Sequence, residues 1–187
     1  MIFNKNKGKF GYLKSGKIQA LIITLVLFAL SISVYFIGYS VTGTNANLFS
    51  IIAVLGVLPA AKSLVSLVMF AKAKSCPAET HDKILEANYP GEVLYDLQIT
   101  AYERAYQVDA AFVTGHSVIG VSSDKKLKYA DLEKHIRNMF MQNGHKEYTI
   151  KIFEDTDKFI ARMKVAAQQG AEDANPEIYQ LLKDLAL

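Results

Sequence analysis

Ile18 to Val41 reads IQALIITLVLFALSISVYFIGYSV, 24 residues without a charge. As a helix it would run about 36 Å, enough to cross a hydrocarbon core of about 30 Å with some tilt. Tyr35 and Tyr39 fall near its far end, where amphipathic rings favour the membrane–water interface. Five lysines precede it: Lys5, Lys7, Lys9, Lys14 and Lys17. A secretory signal also starts basic, but its apolar core is shorter and a small-residue cleavage motif follows. This run is longer and a second apolar stretch comes after it, so it reads as an uncleaved transmembrane helix.

The uncharged link TGTNAN, Thr42 to Asn47, is short enough to force the next helix back antiparallel. Leu48 to Ala71 then reads LFSIIAVLGVLPAAKSLVSLVMFA, interrupted by Pro59 and Lys62. Lys62 would lie about 21 Å along that helix, close enough to the far interface for its stem to snorkel. The alternative places its ammonium on a water-filled path, making the chain a subunit of a small oligomeric channel or a transport accessory. Pro59 is expected to kink the helix. Gly56 and Ala60, four apart, suit close helix packing. Lys14 and Lys17 flank one outer end of this hairpin and Lys72 and Lys74 the other, while the connecting turn has none. By the positive-inside rule both termini face the cytosol of a multi-pass cell-membrane protein.

Charge divides the chain at the same place. Residues 1–75 hold eight lysines and no acid, whereas the remaining 112 residues set 13 basic against all 18 acidic side chains, a formal −5. The basic pI therefore belongs to the membrane segment. The acidic domain argues against a nucleic-acid partner, since phosphates are held by lysine and arginine. The single cysteine, Cys76, forms no internal disulfide and suits a reducing compartment. The expected organisation is a basic segment 1–17, a hairpin 18–74 and a cytosolic domain 75–187 ending in an amphipathic helix 176–187.

Within the domain, Pro77 to about Ala87 reads as a helix capped by Ser75, and Tyr89-Pro90-Gly91 as a turn. Val93 to Thr100 alternates, with Tyr95, Leu97 and Ile99 on one face and Asp96 and Gln98 on the other. Val108 to Thr114 and Val118 to Ser122 are further strands joined at Gly115-His116. The stretch 101–107 suits a strand pair but also fits a helical face. Lys128 to Asn143 reads as a helix with the stripe Leu132, Ile136, Met139 and Phe140. Tyr148, Ile150 and Ile152 alternate as a strand. Asp155 or Thr156 caps a helix presenting Phe159, Ile160, Met163 and Ala167 and ending at Gly170. After a linker, Asn175-Pro176-Glu177 opens a helix with Ile178, Leu181, Leu182 and Leu185 on one side. That face must pack on the domain or on a partner. The order α-β-β-β-α-β-α-α specifies a mixed sheet flanked by helices.

There is no glycine-rich phosphate loop, no cysteine pair and no H-E-x-x-H. The four histidines lack a recognised metal-ligand spacing. Asp109 lies inside the second strand of the domain, and Asp124-Lys125-Lys126 ends the third. An acid on one strand and a D-x-K on the next, in an α-β-β-β-α-β order, resembles the PD-(D/E)xK nuclease-like superfamily over about residues 77–154. The resemblance implies Mg²⁺ held by Asp109 and Asp124, with Lys126 positioning or activating water. Two departures are plain: Val108 replaces the proline before the first acid, and Asp124 sits at the strand end rather than within it. The other reading makes Asp109 an edge-strand acid and residues 123–126 a charged turn. With no stronger catalytic motif, the residues favour a non-enzymatic interaction or assembly module, working with a protein partner or as a homo-oligomer, over a membrane-tethered nuclease, active or degenerate. The chain as a whole resembles small two-helix membrane proteins of Gram-positive bacteria.

Overall fold

The structure is a computed structural model that describes residues 6–88, 91–101, 104–168 and 175–187. The chain divides into two compact units, residues 13–73 and the remainder. The turn expected at Tyr89-Pro90, the helix end at Gly170 and the linker over 171–174 lie outside the described residues.

The first unit is the helical pair. α1 spans Tyr12–Thr42 and α2 spans Leu48–Lys72, so α1 begins about a turn and a half before the uncharged run and carries Lys14 and Lys17 on helix. Both are long and apolar enough to cross a membrane. At 31 and 25 residues they measure about 46 and 38 Å. Asn47 caps α2, its side-chain oxygen accepting from Ser50 N–H at 2.8 Å. α2 continues through Pro59 to Lys72.

The two helices meet along small residues. A Cβ on Gly56 would lie 2.7 Å from Ser31 Oγ, and one on Gly38 would overlap Phe49. Ala20, Ala53 and Ala60 are buried. Gly56 and Ala60 thus serve the hairpin's own packing by letting the two helix backbones approach closely. The hydroxyls are satisfied locally. Thr24, Ser31, Ser33, Ser40 and Thr42 each donate to the carbonyl four residues earlier, which lets them sit in an apolar medium without stranded donors. Because Thr24 gives its proton to Ala20, the 2.8 Å contact between Thr24 Oγ1 and Ser63 Oγ is donated by Ser63.

The second unit is a four-stranded mixed sheet in the order β1-β2-β3-β4. β1 is Val93–Thr100, β2 Ala105–Thr114, β3 Ser117–Val121 and β4 Thr149–Phe153. The first three form an antiparallel meander, and β4 lies parallel to β3. The ambiguous stretch is therefore strand from Ala105 onward, with residues 102–103 outside the described set. Pairing with β1 decides what the local pattern left open. Gly115, at φ +43°, turns β2 into β3.

The helices are α3 (Ala78–Glu86), α4 (Tyr129–Gln142), α5 (Thr156–Gln168) and α6 (Pro176–Leu185). One face of the sheet packs Leu94, Leu97, Ile99, Val108, Val113 and Ile150 against Leu132, Ile136 and Phe140 of α4 and Ile178, Tyr179 and Leu182 of α6. The other face packs Tyr95, Ala110, Phe112 and Ile119 against Ile84 of α3 and Phe159 and Met163 of α5. The apolar side of α6 is thus spent on its own domain. Tyr179, which the stripe of leucines did not single out, donates its hydroxyl to Glu92 O at 2.9 Å. Asp155 caps α5, accepting from Asp157 N–H at 2.9 Å. Ser75 does not cap α3: Pro77 stands at that cap without a side-chain bond, and Ser75 Oγ is buried with no hydrogen-bond partner.

The alternation expected for β1 holds only in part. Asp96 adopts a left-handed conformation, φ +56°, which Asp tolerates better than most residues. Pairing runs Tyr95 to Ala110 and then Leu97 to Val108, skipping Asp96 and Asp109. Both strands slip phase there together, so register survives while facing changes. Tyr95 goes to the α3–α5 side and Leu97 and Ile99 to the α4–α6 side.

The open edge of β1 is blunted. Tyr95 N–H donates to Gly8 O at 2.7 Å, Leu187 N–H donates to Gln98 O at 2.9 Å, and Ala186 bridges Ile99. Phe10, from the same stretch as Gly8, stacks on His81 with centroids 3.8 Å apart. Covering an edge in this way removes a template for unwanted strand addition.

Candidate functional site

The phase slip concentrates the domain's buried acid. Asp96 and Asp109 are 2 % and 1 % exposed, on adjacent strands at the one position where β1 and β2 do not pair. A buried carboxylate needs donors, and each has them. Asp96 Oδ1 accepts from Cys76 N–H at 2.7 Å. Asp109 Oδ2 accepts from Ser123 N–H at 2.5 Å, and its Oδ1 accepts from the Gln107 side chain. Asp109 thereby ties β2 to the chain leaving β3.

The other sequence candidates sit in that departing chain. Asp124 Oδ1 accepts from Lys126 N–H at 3.0 Å, an Asx-type turn, and Asp124 N–H donates to Ser122 Oγ at 3.3 Å. Lys126 is exposed. Asp109 and Asp124 share a neighbourhood, since the charges of both raise the pKa of the Tyr129 phenol. Burial raises that phenol's pKa most, followed by the charges of Glu154, Asp124 and Asp109. Among the described residues no group of three or more His, Cys, Asp or Glu side chains converges as a metal cluster. Each Asp109 oxygen already accepts one protein donor, so Mg²⁺ would have to bind through the remaining lone pairs. Chemically the arrangement is a hydrogen-bonded brace around a turn.

Cys76 belongs to the same region. Burial, and then the charges of Asp109 and Asp96, push its thiol up to about 12, so at neutral pH it is protonated and a poor nucleophile. Asp96 is the residue that sequence reasoning missed, having been assigned to a polar strand face. The available signal was a pair of acids in otherwise apolar strands, one on each side of a meander turn.

The membrane-side candidates separate as well. Lys14, Lys62, Lys72 and Lys74 are exposed and Lys17 is half-buried. Lys62 projects from α2 among Leu55, Leu58, Val65 and Met69, which are 40 to 66 % exposed and stand three, four or seven residues away on the same helical face. An ammonium at the centre of a spanning helix costs about 2.5–3.5 kcal/mol on insertion scales. Comparison with known proteins gave no match: no family model, curated protein or solved structure is significantly similar to the chain.

Proposed function

We propose that the chain is a membrane-anchored interaction or assembly module. Its hairpin crosses the cell membrane twice, with both termini cytosolic, and displays the α/β domain on the cytosolic side. The observation that carries this reading is the pairing of two long apolar helices, α1 and α2, across a link with no charge, with lysines flanking both outer ends and none in the link. Large apolar side chains around the pair, Leu21, Leu25, Ile32, Phe36, Ile51 and Leu58 among them, are exposed. Such a surface is disfavoured in water and suited to lipid. On the domain side, the best acid candidate is committed to backbone and side-chain donors, which supports a scaffold rather than a reaction centre. A protein partner or a second copy would be recognised by the domain's outer surface.

The nuclease-like reading keeps one supporting feature, the α3-β1-β2-β3-α4-β4 order with β4 parallel to β3. It requires Asp109 to take Mg²⁺ through lone pairs that its present donors leave open. Alkaline carbonate extraction combined with protease treatment of inverted vesicles tests the anchoring. The chain should stay in the membrane pellet, with residues 74–187 digested from the cytosolic face. Release by carbonate would remove the basis of the proposal.

A further inference from the structure

We propose that Lys62 is a binding point for the phosphate of an anionic phospholipid in the leaflet at the lysine-bearing end of the hairpin. The inference rests on the membrane reading above and adds a lipid specificity to it. The contact of Thr24 with Ser63 fixes the level of Lys62 along the pair. Lys17 lies seven residues, about 10 Å, nearer the outer end. Lys62 is therefore well below the level of Lys17 and Lys72, on the apolar stripe Leu55–Leu58–Val65–Met69 that would face acyl chains.

Snorkelling alone serves this side chain poorly. The Cα–Cβ bonds of a helix tilt toward its N-terminus, and α2 runs from the uncharged link toward the lysine end. The first bond of the Lys62 side chain thus points deeper, away from the interface it must reach. The counter-charge must come to it. Residues 1–78 contain no acid, and among the described residues no carboxylate forms an ion pair with Lys62. A lipid phosphate drawn down to the ammonium supplies the missing charge, with Leu55 and Leu58 below it to pack the acyl chain. Ser66, one turn on, has its hydroxyl committed to Lys62 O at 3.3 Å and leaves the ammonium for the lipid. Lys14, Lys17 and Lys72 add a positive field at the same end, which favours anionic over zwitterionic headgroups.

The test uses the full chain in phosphatidylcholine vesicles containing a trace of spin-labelled phosphatidylglycerol or spin-labelled phosphatidylcholine. Electron spin resonance reports the lipid fraction immobilised by the protein. Relative association for phosphatidylglycerol should exceed that for phosphatidylcholine about fivefold, as expected for one lysine near a headgroup. Lys62→Leu should remove most of that excess, leaving the smaller preference due to Lys14, Lys17 and Lys72; Lys62→Arg should retain it, and Lys72→Gln should change it less. Equal association of the two lipids with the unaltered protein would overturn the proposal, as would an undiminished ratio in Lys62→Leu. Loss of selectivity on adding inorganic phosphate, at ionic strength matched with chloride, would assign the site to the free ion instead. Absence of any immobilised lipid would count against the membrane reading itself, so the two failures are distinct.

Discussion

Replacing Asp109 by Asn separates a structural acid from a catalytic one. The carboxylate accepts from Ser123 N–H at 2.5 Å and from the Gln107 amide at a site 1 % exposed. Asn keeps one acceptor oxygen and turns its NH₂ toward the second donor, so one buried donor is stranded. That costs about 1–3 kcal/mol. At roughly 5 °C per kcal/mol for a domain of this size, the melting temperature should fall by about 5–15 °C. Asp109→Leu strands both donors and should fall further. The full chain in detergent micelles would be followed by near-UV circular dichroism of its tyrosines, there being no tryptophan. If Asp109→Asn melts within about 2 °C of the parent and instead abolishes a Mg²⁺-dependent phosphodiester cleavage, the carboxylate is reserved for metal and the brace interpretation fails.

Thr24→Cys with Ser63→Cys, in a background lacking Cys76, should form a disulfide readily in the membrane, because the native side-chain oxygens are 2.8 Å apart; no cross-link under mild oxidation would refute the helix pairing. Cys76, with its thiol raised to about 12, should react with maleimide at pH 8 some hundred- to thousandfold more slowly than an unfolded thiol. The sign follows from linkage: the unfolded thiol ionises first, so this group's contribution to stability falls as pH rises from about 9 toward 12. Reaction at the free-thiol rate in the folded protein would contradict its burial. Tyr179→Phe removes the donor to Glu92 O and should destabilise the domain by about 1 kcal/mol, measured by urea titration; no change would mean that α6 is held by its apolar contacts alone.

Much of this architecture could be read from local pattern. The two long helices followed from the length of their apolar runs, and most strands and helices of the domain have a pattern visible in their own residues. Less visible were the features set by pairing. Tyr95, Leu97 and Ile99 alternate faithfully in sequence, yet the left-handed Asp96 sends the first of them to the opposite face. Nothing local marks that slip, because it depends on a matching slip around Asp109 in the neighbouring strand. The strand at Ala105 likewise owes its form to β1, since its own residues fit a helix nearly as well. At the candidate site the acids were identifiable by type and position. The commitment of Asp109 to Ser123 and Gln107 was not, because a hydrogen bond between strand and turn is a property of the folded backbone.

Topology is the claim on which the rest depends, and paired cysteine labelling measures it directly. In a background lacking Cys76, Asn45→Cys and Lys125→Cys would each be exposed to a membrane-impermeant maleimide in intact cells and again after lysis. The account predicts that position 45 labels in intact cells and position 125 only after lysis. Labelling of position 125 from outside, or of position 45 only after lysis, would contradict it.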